Sequence, residues 1–338
     1  MAEAVSLYSG SLSSSVATEL VVNHCSLDRV VVLTLRSPFF AEFDRVKGLA
    51  QELWPGTRFR SKSIKKETDR IGAFARNGSD GRKSYCSKCQ AILLETGRNF
   101  LSQTGADFLV SGEAISREAE ARIEDATELD EEAGLDGLVF RPLSSLVLPD
   151  SLPEEKGWVP ESNELTSDKK KRVAEDLRER LRGGCYDFLS AKKRCKLTRQ
   201  RYRKRLKDLM REDSFNVNDL SLLDFENYYK IPPNTKVVLG EGAEGKRKLH
   251  NYFLPRDLRF YLPTRDGPMA LVRPRLGDKS EDDGFDGVVE LAARITAGRG
   301  EVREDSKVEV NYRFEHENET YSIKVSPMDS ERIQEFRL

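Results

Sequence analysis

Apolar and polar positions along the chain fall into two regimes. In the first, short β-rich runs alternate with helical stretches. Ala4 to Tyr8 and Arg29 to Leu35 read as strands, and "FFAEFDRVKGLAQELW" sets Phe43, Val46, Leu49 and Leu53 on one helical face. "TRFRSKSI" reads as a further strand and "CSKCQAILLETGRNFLSQTG" as a helix ending by Gly105. "ADFLVSGE" reads as a buried strand running out into a polar turn. Such alternation predicts a parallel sheet with helices on both faces. Ligands of such sheets lie at the carboxyl ends of the strands. Ser9–Ser15 and Ser111–Glu113 are both expected there. Pro142 to Asp168, rich in Pro and Ser, reads as an extended connection. From Asn216 the pattern changes: "KVVLG", "RFYLP", "MALVRP", "KVEVNYRF" and "ETYSIKV" are short strands, and "GVVELAARITAG" is a helix. This predicts an α/β domain over residues 1–167, a basic helical connector over 168–215 and a smaller α+β domain over 216–338.

Composition agrees with folded cores and a wet surface: 338 residues, 38% hydrophobic and 33% charged. No stretch approaches the roughly 18 apolar residues of a membrane span, so no membrane partner is expected. The N-terminus lacks a basic segment followed by an apolar block, so no signal peptide is expected. The cysteines are Cys25, Cys86, Cys89, Cys185 and Cys195. An odd count with one CxxC points to the cytoplasm or another reducing compartment, and to metal or redox chemistry over a disulfide framework.

The net charge of −1 conceals two blocks: Glu113 to Glu155 holds 13 acidic and 3 basic residues, Asp168 to Arg211 holds 18 basic and 6 acidic. The densest stretch, Lys192 to Lys207, has ten cations and no acid: Lys192, Lys193, Arg194, Lys196, Arg199, Arg201, Arg203, Lys204, Arg205 and Lys207. Tyr202, Leu206, Leu209 and Met210 recur at helical spacing within and beside it, so one face packs and the rest is cationic. That density predicts phosphate-backbone contact with RNA. A helix clamped by the acidic block is the alternative. Lys246, Arg247 and Lys248 form a second basic cluster, read as part of a Gly-rich loop. Tyr228, Tyr229 and Tyr252 are candidates for base stacking or for the core. His24, His250 and His316 are scattered and read as structural.

"LYSGSLSSSVA" has the outline of a strand, a phosphate-binding turn and a helix, whose N–H groups and dipole favour an anion. Ser9, Gly10, Ser11, Ser13 and Ser14 are its candidate phosphate contacts. A serine-rich turn without a ligand is the alternative. The CxxC of Cys86 and Cys89 opens a helix, which favours thiolate. Cys185 and Cys195 are too far apart for a second tight pair, which disfavours a four-thiolate zinc site. Three thiolates with one open position suit a [4Fe–4S] cluster.

The same loop resembles the SGGxDS loop of the PP-loop ATP pyrophosphatases. Ser9, Gly10 and Ser14 match it; Ser11 stands for its second glycine and Ser13 for its aspartate. The likeness extends to one branch, similar to Fe–S-dependent tRNA thiouridine synthases with a C-terminal RNA-binding-type domain. It is carried by the CxxC, then "GADF" at Gly105–Phe108, Ser111-Gly112-Glu113, Arg141-Pro142-Leu143-Ser144 and Gly157-Trp158-Val159. "CKLTRQRYRKRLKDLM" aligns with the branch's third cysteine and Arg-rich helix, and "GVVELAARITA" with "IKVSPMDSERIQEFRL" aligns with its terminal domain. The resemblance implies a PP-loop domain binding ATP and magnesium, a [4Fe–4S] cluster on Cys86, Cys89 and Cys195 (Cys185 being the alternative third ligand), and tRNA as partner.

In an active member, ATP adenylates a tRNA base carbonyl and a cluster-held sulfide displaces AMP. Here the loop has lost its carboxylate and second glycine, and "GEAISREAEARI" replaces the branch's polar Gln-Arg-Pro-Met-Ser-Gln stretch. The expectation is therefore an RNA-associated, Fe–S-containing relative with eroded ATP chemistry: a pseudoenzyme or, if active, an ATP-dependent tRNA sulfurtransferase. The alternative is a non-catalytic structural or RNA-binding subunit of a larger protein assembly.

Overall fold

The computed structural model describes residues 2–64, 85–116, 118–212, 215–263, 266–274, 285–300 and 307–338. The chain divides into two compact units, Met1–Arg203 and Lys204–Leu338. The stretch expected as a separate connector, 168–215, is thus shared between them.

The first unit is built on a five-stranded sheet of β1 (Glu3–Leu7), β2 (Arg29–Arg36), β3 (Arg58–Ser63), β4 (Phe108–Ser111) and β5 (Val139–Phe140). Every described pairing is parallel, in the order β3-β2-β1-β4-β5. Val31, Val32, Leu33 and Leu35 of β2 are buried, as a run covered on both faces requires. β3 is an edge strand, and its polar RFRSKS pattern leaves most side chains in water. β5 carries no alternation and had no signal in the sequence.

The helices of this unit are α1 (Leu12–Asn23), α2 (Phe43–Leu53), α3 (Tyr85–Thr104), α4 (Glu120–Glu132), α5 (Leu152–Glu155), α6 (Ser167–Arg180) and α7 (Ala191–Arg194). In α2 the expected stripe is buried at Val46, Leu49 and Leu53, while Phe43 stays partly exposed. α6 is N-capped by Thr166, whose hydroxyl accepts from the Lys169 backbone N–H. Its Val173 and Leu177 join the core of α1, Phe108 and Phe140. Full burial of Leu177 contributes about 2 kcal/mol. A buried carboxylate ties three elements: Glu19 accepts from Trp54 Nε1 at 2.6 Å and from Arg180 at 3.0 Å. Residues Pro142 to Asp168 are not simply extended. A capping box of Ser151 and Glu154 starts α5, and Val159 and Leu165 are buried.

Helix α8 (Gln200–Leu209) contains the division between units. The second unit continues with α9 (Val217–Leu222), β6 (Asn227–Ile231), β7 (Thr235–Gly240), α10 (Gly242–His250), β8 (Leu258–Tyr261), β9 (Met269–Arg273), α11 (Phe285–Gly298), β10 (Val308–Phe314), β11 (Tyr321–Val325) and α12 (Ser330–Glu335). Its sheet is antiparallel, ordered β11-β10-β8-β9-β7-β6. Helix α11 buries Val288, Val289, Ala292, Ala293 and Ile295 against one sheet face, which presents Val237, Leu239, Phe260 and Val310. The fold class expected from the sequence is the one found: a parallel α/β unit followed by a separate α+β unit.

Candidate functional site

In the order β3-β2-β1-β4-β5 the chain reverses direction across the sheet between β1 and β4. At that switch point the loops after neighbouring strands diverge and leave a crevice at the carboxyl edge. A cavity of about 810 Å³ opens there, lined by Ser9, Ser11, Ser13 and Ser14 from one side and by Ser111, Gly112 and Glu113 from the other.

The serine loop keeps the strand–turn–helix form expected of it. Gly10 sits at φ +78°, a conformation that a side chain would strain. Ser11 caps α1 by accepting from the Ser14 N–H at 3.2 Å. The hydroxyls bond to one another: Ser9 Oγ donates to Ser14 Oγ at 3.2 Å and to Ser11 Oγ at 3.1 Å, and Ser11 and Ser13 share a bond of 3.1 Å. The loop after β4 passes so close that a Cβ on Gly112 would lie 2.4 Å from Ser14 Cα.

The floor is a charged lattice. Glu113 accepts from Gln90 Nε2 at 2.8 Å, from Arg141 Nε at 3.3 Å and from Arg122 at 3.4 Å. Arg141 also clasps Asp130 through two bonds, of 2.5 and 2.8 Å. Burial disfavours the Arg141 cation, but the bonds and charge of Asp130, with the charge of Glu113, outweigh it. Its pKa lies above the ordinary guanidinium value. Ser144 Oγ donates to the Glu113 carbonyl at 2.8 Å, so the "RPLS" segment fixes the floor through both residues.

The segment before α8 closes the remaining side. Leu189 N donates to Gly10 O at 2.8 Å. Cys195 pairs with Phe40 in an isolated antiparallel bridge, flanked by Ala41 N to Arg194 O at 2.8 Å and Lys196 N to Phe39 O at 2.9 Å. Cys195 thereby lines the same cavity as the serine loop. Cys185 is exposed, beside a turn with Gly183 at φ +80°, and is not among the cavity residues. Cys89 is buried on α3, one residue before the lining Gln90. The Cys86 side chain lies outside the described residues. Among the described residues no three His, Cys, Asp or Glu side chains are grouped to hold a metal.

The basic stretch is two populations. Lys193, Arg199, Arg201, Arg203, Lys204 and Lys207 are exposed, and the Lys192 side chain lies outside the described residues. Lys196 is half-buried, its Nζ 5.8 Å from the Tyr202 ring centroid. Arg194 and Arg205 correct the expectation that all ten contact RNA. Arg194 is buried over Phe40, donating to the carbonyls of Ala41 and Leu35, and burial pushes its guanidinium down to about 10 against the charges of Cys195 and Glu42. Arg205, 1% exposed, donates to the carbonyls of Leu223, Phe225 and Glu226 and to Leu338 O. It lies three residues after Tyr202 and four before Leu209, hence on the packed face of its own helix.

In the second unit, Lys246, Arg247 and Lys248 are on helix α10, not a loop; Leu249 anchors that helix in the core. Tyr228 and Tyr229 are core residues, at 1% and 0% exposure, and burial raises both hydroxyl pKa values. Tyr252 is half-buried, edge-on to Phe225. His250 and His316 contact Arg259 and the Pro255 carbonyl respectively. No helix among the described residues is long and apolar enough to cross a membrane.

Residues 228–337 match the family model described as the NFACT protein RNA binding domain. Among solved structures, the chain is similar to a 4-thiouridine synthetase in an RNA complex with bound ATP, at 18% identity and a TM-score of 0.34, covering 54% of this chain and 53% of that one. It is similar to the U34-tRNA thiolase NcsA from Methanococcus maripaludis with its [4Fe–4S] cluster, at 15% identity and 0.33, covering 62% and 65%. It is also similar to the C-terminal part of the fibronectin/fibrinogen-binding protein from Streptococcus suis, at 12% and 0.28, covering 80% and 100%. No curated protein matches the chain.

Proposed function

We propose that the protein is an RNA-associated relative of the PP-loop tRNA thiolation enzymes, with an Fe–S cluster and a degraded ATP site. One observation carries this reading. A single cavity at the sheet's switch point is lined by the serine loop, Glu113 and Cys195, in a chain whose other unit matches an RNA-binding domain. Cys86, Cys89 and Cys195 are the proposed cluster ligands. Their soft thiolate donor set suits iron–sulfur. When bound, such a cluster offers an open iron for a sulfur atom.

The chain's own residues around it would hold an anion or a nucleobase without cleaving ATP. The α1 N-terminus offers donors to phosphate. No carboxylate occupies Ser13 to orient magnesium, and the Glu113 carboxylate is already committed to Gln90, Arg122 and Arg141. The exposed cations from Lys193 to Lys207 are the proposed contacts to the phosphate backbone. tRNA is the proposed RNA.

The test is iron and sulfide content of the anaerobically purified protein, with its visible absorbance. Cys195→Ser is expected to abolish the cluster and Cys185→Ser to leave it. Zinc without iron refutes the cluster. RNA-dependent pyrophosphate release from ATP refutes the degraded-site reading and makes the protein an active enzyme. A wild-type protein that binds no RNA refutes the association.

A further inference from the structure

The sheet of the second unit has one face under α11 and one face turned away from it. Side chains alternate across a strand, so Phe260 and Tyr312 point at α11 while Arg259, Tyr261, Asn311 and Arg313 take the other face. The register sets Arg313 directly opposite Arg259, and Asn311 opposite Tyr261. Like charges directly opposite on antiparallel strands repel. Such a pair therefore needs compensation, and only one member has it.

Arg259 is held from three sides. It donates to Glu315 Oε1 at 2.7 Å, contacts His250 Nε2 at 3.3 Å, and lies 4.7 Å over the Phe253 ring. Its plane is thereby fixed. Arg313 makes no ion pair among the described residues. Elsewhere on this face the register sets Lys324 opposite an acid, Glu309, and Lys246 Nζ meets Asp266 at 2.7 Å. Arg259, Arg313, Lys246 and Tyr261 line one cavity of about 380 Å³, walled by Met269 and Thr320.

The geometry points to this cavity as the seat of one nucleotide of a single-stranded RNA. Its phosphate lies between Arg259 and Arg313, and its base lies along Tyr261 and Met269. The inference rests on the reading that the second unit binds RNA, and it assigns which face does so and which form of RNA it takes. An anion between the two guanidinium groups removes their repulsion and uses the fork that Arg313 leaves open. The volume is at the low end of the roughly 300–1,000 Å³ of small-ligand pockets. That is room for one nucleotide of a flexible strand. Duplex phosphates instead require cations spread along a ridge, and here the Arg259–Arg313 pair faces one hollow.

The test is fluorescence anisotropy of the full chain with a labelled single-stranded RNA oligonucleotide across a salt series, beside a duplex of equal length. Arg313→Gln is expected to weaken single-strand binding about tenfold and to flatten its log–log salt slope by about 0.7, one phosphate's share. Arg313→Lys, which keeps charge but loses the fork, should fall between. Lys324→Gln, on the same face but outside the cavity, should leave affinity near wild type. Wild-type binding that is unchanged in Arg313→Gln overturns the site while leaving RNA binding by the protein intact. Equal losses for duplex and single strand overturn the single-strand assignment. A wild-type protein that binds neither RNA overturns the site together with the reading beneath it.

Discussion

Arg205 belongs to the most cationic stretch of the chain, yet its guanidinium is inside the second unit. Replacing it with Leu keeps the apolar stem and deletes every donor. The bonds to the Leu223 and Phe225 carbonyls, 2.9 and 2.5 Å, are buried, whereas those to Glu226 and Leu338 are part-buried and can rehydrate. A hydrogen bond to a charged group is worth about 1.5–3 kcal/mol, so the two buried acceptors account for about 3–6 kcal/mol. The guanidinium also lies 4.9 Å over Tyr228, a contact of about 1–2 kcal/mol when desolvated. Relief from burying a cation offsets part of this sum. The net expectation for Arg205→Leu is a loss of about 4 kcal/mol. At roughly 4 °C per kcal/mol for a domain of about 100–150 residues, the transition falls by about 15 °C. Scanning calorimetry on the full chain measures it. Arg201→Gln, an exposed neighbour, is the control and should shift stability by less than about 0.5 kcal/mol. If Arg205→Leu melts with the wild type but loses RNA affinity and salt dependence, the residue is a surface contact and the argument from its four oxygens is wrong.

Two further outcomes follow from the first unit. Gly112→Ala puts a Cβ 2.4 Å from Ser14 Cα, backbone that cannot swing aside, and should cost about 1–3 kcal/mol in urea unfolding; wild-type stability would mean the two loops do not touch. Burial pushes the Cys25 thiol up to about 11 from 9.0, so at pH 8 its thiolate fraction is about a hundredfold below that of an ordinary thiol, and exposed Cys185 should alkylate well before it. The folded state holds that proton more tightly than the unfolded chain. The resulting stability is present below pH 9 and is lost as pH rises through about 11, which equilibrium unfolding in that range would reveal.

Much of the scaffold was legible without coordinates, because its signals are local. Apolar runs marked β1, β2 and β4, spacing of about 3.6 marked α2 and α11, and a strand followed by Gly and Ser marked the turn into α1. The parallel α/β class followed from the alternation, and the place of Ser9–Ser15 and Ser111–Glu113 from the rule that ligands lie at strand ends. What only the tertiary structure decided depends on residues far apart in the chain. That Cys195 lines the cavity and Cys185 does not is set by backbone bonds to Phe39–Ala41, some 150 positions earlier. Arg194 and Arg205 look like their exposed neighbours in the sequence; carbonyls of distant segments draw them inside. Arg259 and Arg313 acquire meaning only through strand register, which places two unrelated stretches side by side. Periodicity reports which face of an element is buried, but not what lies across from it. Partners across a fold are selected by packing and by the need to satisfy every buried polar group, and those conditions exist only once the chain has closed on itself.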